Sequence, residues 1–178
     1  MVHPDRRSAV PASTTEGLEH HSPTHRRVRI GASAALAALV ILGAAGLLGP
    51  TTGSTSASAG AWALHVQHPS VTRPGQPAPL VVRVVAADGF DGPVRLALDT
   101  AMFERMDFQG WFPTPSKETA EADRVVYEFD PPTGDELRVT LDARTAPGQL
   151  FSRTSYDVSL LVPPAPEVTA RFTVWTLP

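Results

Sequence analysis

The sequence predicts an all-β fold, an antiparallel β-sandwich of about seven strands preceded by one transmembrane helix, and three observations carry that expectation. Ile30 to Leu48 is apolar apart from Ser33, and no charged residue lies between Arg29 and Arg73. Beyond Trp62 the apolar residues alternate in short runs with a period of two, as strands with one buried face require. Pro and Gly fall between those runs, where turns are needed.

The tail, residues 1–29, comes first. Met1 to Thr24 is rich in Pro, Ser, Thr, Glu and His, with hardly any large apolar side chain. Such a segment buries too little surface to offset its ordering entropy and is expected to be disordered. His20, His21 and His25 suggest a loose metal site, but no further ligand stands at a fixed spacing. No metal or cofactor is expected in the chain.

Residues 30–49 are the expected transmembrane helix, a signal anchor. A span needs about 20 apolar residues rising ~1.5 Å each to cross a core of about 30 Å, and this run suffices. Gly49-Pro50 stops it. Arg26, Arg27 and Arg29 stand before the run and nothing basic follows until Arg73, so the positive-inside rule places the N-terminus in the cytoplasm and the C-terminal domain outside the cell membrane. The competing reading is a cleaved signal peptide, since Ala57-Ser58-Ala59 has the small-x-small form of a cleavage site. The apolar run exceeds the ~7–15 residues of a signal-peptide core, which favours a retained anchor. Arg26-Arg27 fits a twin-arginine signal poorly because Val28, Arg29 and Ile30 follow it. Gly43, Gly46 and Gly49, with Ala34, Ala38 and Ala45, offer places for another helix to approach. Residues 50–60 then read as a flexible Thr/Ser/Ala/Gly linker.

The domain spans residues 61–178. Trp62, Leu64 and Val66 alternate, as do Leu80, Val82 and Val84, and the turn signals Asp88-Gly89 and Asp91-Gly92 follow. Val94, Leu96 and Leu98 form the third row, and Val125, Tyr127 and Phe129 the fourth. Leu137, Val139 and Leu141 answer across Asp130-Pro131-Pro132-Thr133-Gly134. Tyr156, Val158, Leu160 and Val162 precede Pro163-Pro164-Ala165-Pro166, and Val168, Ala170, Phe172 and Val174 complete the set. Seven short strands in a domain of this size match an Ig-like or fibronectin type III-like sandwich. These apolar rows are core, and no helical period is evident beyond the membrane span.

The 178 residues leave room for one domain of the usual roughly 100–150 residues, plus appendages. The chain has no cysteine, so the domain has no disulfide, thiolate metal site or thiol nucleophile and stands on its core alone. From Ala61 onward ten basic and fifteen acidic residues give a net charge of −5. That balance argues against nucleic acid, which would need a basic face on the folded part to neutralise phosphates.

One stretch breaks the alternation. Ala101 to Pro115 concentrates Met102, Phe103, Met106, Phe108, Trp111 and Phe112. Such a cluster either covers an open edge of the sandwich or forms an adhesive surface, since aromatics and Met are enriched at interfaces. Edge cover is favoured, and the six residues are also the candidate partner-binding site.

Catalytic signatures are missing. His65 and His68 form an H-x-x-H, but residues three apart on a strand face opposite ways, and no glutamate or helix accompanies them. Asp88, Asp91, Asp130 and Asp135 suit turns better than a calcium loop. Glu118, Glu121 and Asp123 read as a solvated connection. No G-x-S-x-G, P-loop, dinucleotide fingerprint or S-x-x-K is present.

The stretch His68 to Pro79, the turn Gly89-Phe90-Asp91-Gly92-Pro93-Val94, and Tyr127-Glu128-Phe129-Asp130-Pro131-Pro132 together resemble a group of small actinobacterial single-span membrane proteins of unknown function. The resemblance covers Trp62 to Pro178 and implies topology and fold but no catalytic residue. The approach to Tyr156 through Ala146-Pro147-Gly148 also resembles fibronectin type III domains, which implies a corner-capping role for that tyrosine.

The function expected is therefore that of a membrane-anchored, non-catalytic interaction module that binds another membrane or envelope protein, by strand addition at an open edge or through the Met102 to Phe112 cluster. A carbohydrate- or cell-wall-binding module is the alternative, favoured if Trp111 and Phe112 are exposed and coplanar. An envelope enzyme would require His65, His68, Glu104 and Asp107 to converge. The oligomeric state is left open.

Overall fold

The computed structural model describes residues 23–44, 51–149, 151–163 and 167–178. The chain divides into two compact units, Met1–Leu48 and Gly49–Pro178. In the first, α1 runs from Pro23 to Ala44. Proline suits a first helical position because its missing N–H is unpaired there anyway. The helix thus begins seven residues before Ile30, and Arg26, Arg27 and Arg29 lie within it, since nothing between Pro23 and Ile30 breaks a helix. Arg26–Ala44, with mean hydropathy 1.6, is long and apolar enough to cross a membrane. Leu39, Val40, Ile41 and Leu42 are all exposed. Consecutive residues point in different directions, so this second half of the helix is apolar all round, as a spanning segment is. Residues 1–22 of the tail and the far end of the expected span lie outside the described residues.

The second unit is mostly β. Its strands are β1 (Thr51–Ala59), β2 (Trp62–Thr72), β3 (Leu80–Ala86), β4 (Val94–Asp99), β5 (Met106–Phe112), β6 (Lys117–Ala120), β7 (Arg124–Phe129), β8 (Glu136–Thr145), β9 (Ser152–Leu161) and β10 (Val168–Thr176). A short helix, α2 (Thr100–Arg105), follows β4. The strands form one sheet in the order β5-β8-β3-β2-β10-β9-β4-β7-β6, with β1 added to β2.

The seven alternating rows of the sequence are β2, β3, β4, β7, β8, β9 and β10. Among the described residues the count of seven is corrected to ten by β1, β5 and β6, none of which carries a regular large-apolar row. β1 replaces the flexible linker: Thr51–Ala59 pairs antiparallel with β2 from Val71 back to Trp62. A chain of Ser, Thr, Ala and Gly has little bulk to bury, only Ala57 and Ala59 packing against the core, so backbone hydrogen bonding to β2 is the main thing that orders it. β6 is exposed throughout, and β5 is interrupted by an irregularity between Phe108 and Gly110.

The sheet curls so that its inward rows meet in one core, with Leu64, Val82, Leu96, Phe129, Val139 and Val158 at 0–1% exposure. β2 joins the two halves. It pairs antiparallel with β3 over Trp62–Gln67, and parallel with β10 only at Val71–Thr72. Buried Thr72 and Thr145 share a 2.6 Å hydroxyl hydrogen bond that ties the end of β8 to this junction. Tyr156 sits buried in the middle of β9 against Phe172, with ring centroids 5.8 Å apart, so it occupies a strand interior and not a corner.

Candidate functional site

The Met102 to Phe112 cluster is positioned by a helix cap. Asp99 ends β4 and its carboxylate accepts a 2.9 Å hydrogen bond from the Ala101 N–H, starting α2 and turning Met102 into the core. Met102 is 0% and Met106 5% exposed. Phe103, Phe108 and Trp111 are partly buried against the core. The Trp111 ring lies 4.2 Å from Tyr127 and 5.7 Å from Phe129, and Phe103 lies 4.6 Å from Phe108. β5 and β6 are the two ends of the strand order, and Trp111 on β5 packs on β7, the strand beside β6, across the core.

Phe112 alone of the six stands out, at 78% exposure. Successive strand residues face opposite ways, which sends Trp111 inward and Phe112 outward. The six are therefore not one adhesive patch, and Trp111 and Phe112 do not form a coplanar platform for a sugar ring.

The four residues an enzyme would have to bring together are dispersed. His65 faces outward on β2, where its Nδ1 lies 2.8 Å from Ser56 Oγ. His68 faces inward, stacked on Phe172 at 4.3 Å, and its Nδ1–H donates to the Pro69 carbonyl at 3.1 Å. Glu104 is on α2 and exposed, and Asp107 on β5 accepts from the Gln109 amide. Among the described residues no three His, Asp or Glu side chains are grouped to hold a metal ion. Gly89, in the first Asp-Gly pair, has φ +80°, the turn conformation for which that pair is suited. The two tyrosines are masked from solvent. Burial, with Glu118 nearby, pushes the Tyr127 hydroxyl up to about 12, and burial also raises that of Tyr156.

Among the described residues three strands present an edge, and they differ. β6 is four residues long and carries Lys117 and Glu118, while β5 carries Asp107 and an irregularity. Charge, shortness and bulges are the usual devices that stop an edge from pairing with another chain. β1 has none of them over its main run. Its nine residues contain no charge and no proline, its ladder to β2 is regular from Thr52 to Ala59, and none of its residues is buried. Among the described residues its second edge pairs with no strand. The sequence carries a faint signal of this strand, the recurrence of Ser54, Ser56 and Ser58 at every second position. Gly53 faces the inner side, where a Cβ would meet Ser70 Oγ and come within 3.0 Å of the His68 ring.

No protein-family model and no curated protein matches the chain.

Proposed function

We propose that this chain is a single-span membrane protein, N-terminus cytoplasmic, whose extracytoplasmic domain is an Ig-like sandwich acting as a non-catalytic interaction module, of the kind the sequence resemblance implies. Its partner is another membrane or envelope protein, which adds an extended strand to the free edge of β1. The observation that carries this reading is that edge: nine residues with neither charge nor proline, beside two other edges that have protective features. In strand addition, main-chain hydrogen bonds supply affinity and side chains at alternate positions supply selectivity. The outward Ser54, Ser56 and Ser58 leave room for a close partner strand. Fold support comes from β2, which leaves β3 and reaches β10 by two residue pairs, so the two halves of the sheet face each other across one core.

The test is photo-crosslinking from Ser58 in native membranes, with Thr119 on β6 as the comparison position. The reading expects one dominant protein adduct from Ser58, absent from Thr119 and lost when Thr55→Lys charges the edge. Equal labelling from both positions, or an adduct that survives the lysine, would reject it.

A further inference from the structure

The outward face of β1, β2, β3 and β8 carries a shallow groove of about 480 Å³. Across it runs one row of directly opposed residues: Ser56 faces His65, His65 faces Arg83, and Arg83 faces Arg138. The next row sets Ser54 opposite Gln67. Opposed residues on an antiparallel sheet hold their Cβ atoms about 4.5–5.5 Å apart, and like charges so placed repel. Arg83 has Glu136 at 3.6 Å to offset this. Arg138 has neither an ion pair nor a side-chain hydrogen bond among the described residues, and the same holds for the Ser54 hydroxyl and the Gln67 amide.

The Ser56–His65 pair leaves one donor free in either neutral tautomer. If Ser56 donates to Nδ1, the neutral imidazole carries its proton on Nε2 and donates from there. If Nδ1–H donates to Ser56 Oγ, the serine hydroxyl is released to donate elsewhere. The groove thus offers two guanidinium groups with hydroxyl and amide donors on a sheet face, and among the described residues no carboxylate lines it, Glu136 reaching only Arg83.

We propose that this groove binds a phosphate-type oxyanion, clasped between Arg83 and Arg138 and capped by Ser54, Ser56 and His65. A guanidinium fork matches two oxygens of such a group. Donors on both sides of the groove suit a tetrahedral anion, with oxygens pointing several ways, better than a planar carboxylate. The anion relieves the Arg83–Arg138 repulsion and competes with Glu136 for Arg83, so binding is weak, in the millimolar range. Its source is either a soluble phosphate or phosphoester, or an anionic lipid headgroup. The site shares the outward side chains of Ser54 and Ser56 with β1 but not the backbone groups of its free edge.

Inorganic phosphate titrated at low ionic strength into the full chain in neutral detergent, followed by amide resonances, tests this. The expected result is saturable shifts at Ser54, Ser56, His65, Arg83 and Arg138, with no change at Arg153 or Arg171 on the other half. Arg138→Gln weakens binding by about tenfold or more, the loss of a charged hydrogen-bond partner, while Ser54→Val weakens it less and Arg171→Gln leaves it unchanged. A parallel arm places the chain in phosphatidylcholine discs with and without phosphatidylglycerol. Shifts from phosphate alone assign the soluble source, and shifts from phosphatidylglycerol assign the headgroup. If neither moves these amides saturably, or Arg171→Gln weakens binding as much as Arg138→Gln, the site does not exist.

Discussion

Trp111 and Phe112 are neighbours in sequence with opposite surroundings, and replacing each by alanine separates edge closure from surface exposure. Removing a fully buried Phe or Trp side chain typically costs about 3–5 kcal/mol. Trp111 is only partly buried, which halves that to about 2 kcal/mol. Its ring contacts with Tyr127 at 4.2 Å and Phe129 at 5.7 Å add about 0.5–1 kcal/mol beyond burial. Trp111→Ala is therefore expected to lose about 2–3 kcal/mol of a domain stability that is usually about 5–15 kcal/mol. Phe112, 78% exposed, is expected to change stability by no more than about 0.5 kcal/mol on substitution by alanine. Urea unfolding of the full chain in neutral detergent, followed by circular dichroism so that the lost indole does not bias the signal, measures both. Trp111→Ala should lower the midpoint with an unchanged slope. Equal effects of the two substitutions would refute the inward placement of Trp111 and the closure of the sheet at β5 and β7.

Gly53→Ala is expected to destabilise the domain and loosen β1, because the new methyl collides with Ser70 and His68; bare strand propensity predicts a gain of about 0.5–1 kcal/mol instead, so the sign measured by thermal unfolding decides. Tyr127 and Tyr156 are the only tyrosines, so phenolate absorbance of the folded chain should remain low at pH 10 and jump on adding denaturant. The raised Tyr127 value means that the unfolded chain releases this proton first above pH 10. Stability present below pH 10 is then lost as the pH rises toward about 12, by on the order of 2 kcal/mol. The absence of cysteine permits a topology test without background labelling: in intact cells an impermeant maleimide should modify Thr133→Cys and spare Ser13→Cys, and the reverse pattern would overturn the proposed orientation.

Seven of the ten strands were legible because bulk and period coincide in them. Leu96 and Leu98, or Val158 and Leu160, repeat every second residue, and only a half-buried strand needs that spacing. β1 was not legible, because Ser, Thr, Ala and Gly serve linker and edge strand alike, and the ordering partner, β2, lies beyond the turn at Gly60. The same limit hid β6, whose Lys117-Glu118-Thr119-Ala120 buries nothing. In the aromatic stretch, composition gave the residues, but which side each faces depends on the Asp99 cap and the irregularity after Phe108. That is why Met102 and Met106 turn out to be core while Phe112 stays exposed. The outward row Ser56, His65, Arg83 and Arg138 spans four strands, so it exists only once their register is set.

Residue-resolved hydrogen exchange on the purified full chain tests the central claim, an ordered β1 with one open edge, most directly. In an antiparallel pair alternate N–H groups point to the neighbour and away from it. From Thr52 to Ala59 the account predicts slow exchange at every second amide, those bonded to β2, and fast exchange at the amides between. Uniformly fast exchange would make this segment a linker after all, and uniformly slow exchange would mean that the edge is already covered within the chain; either result contradicts strand addition at β1.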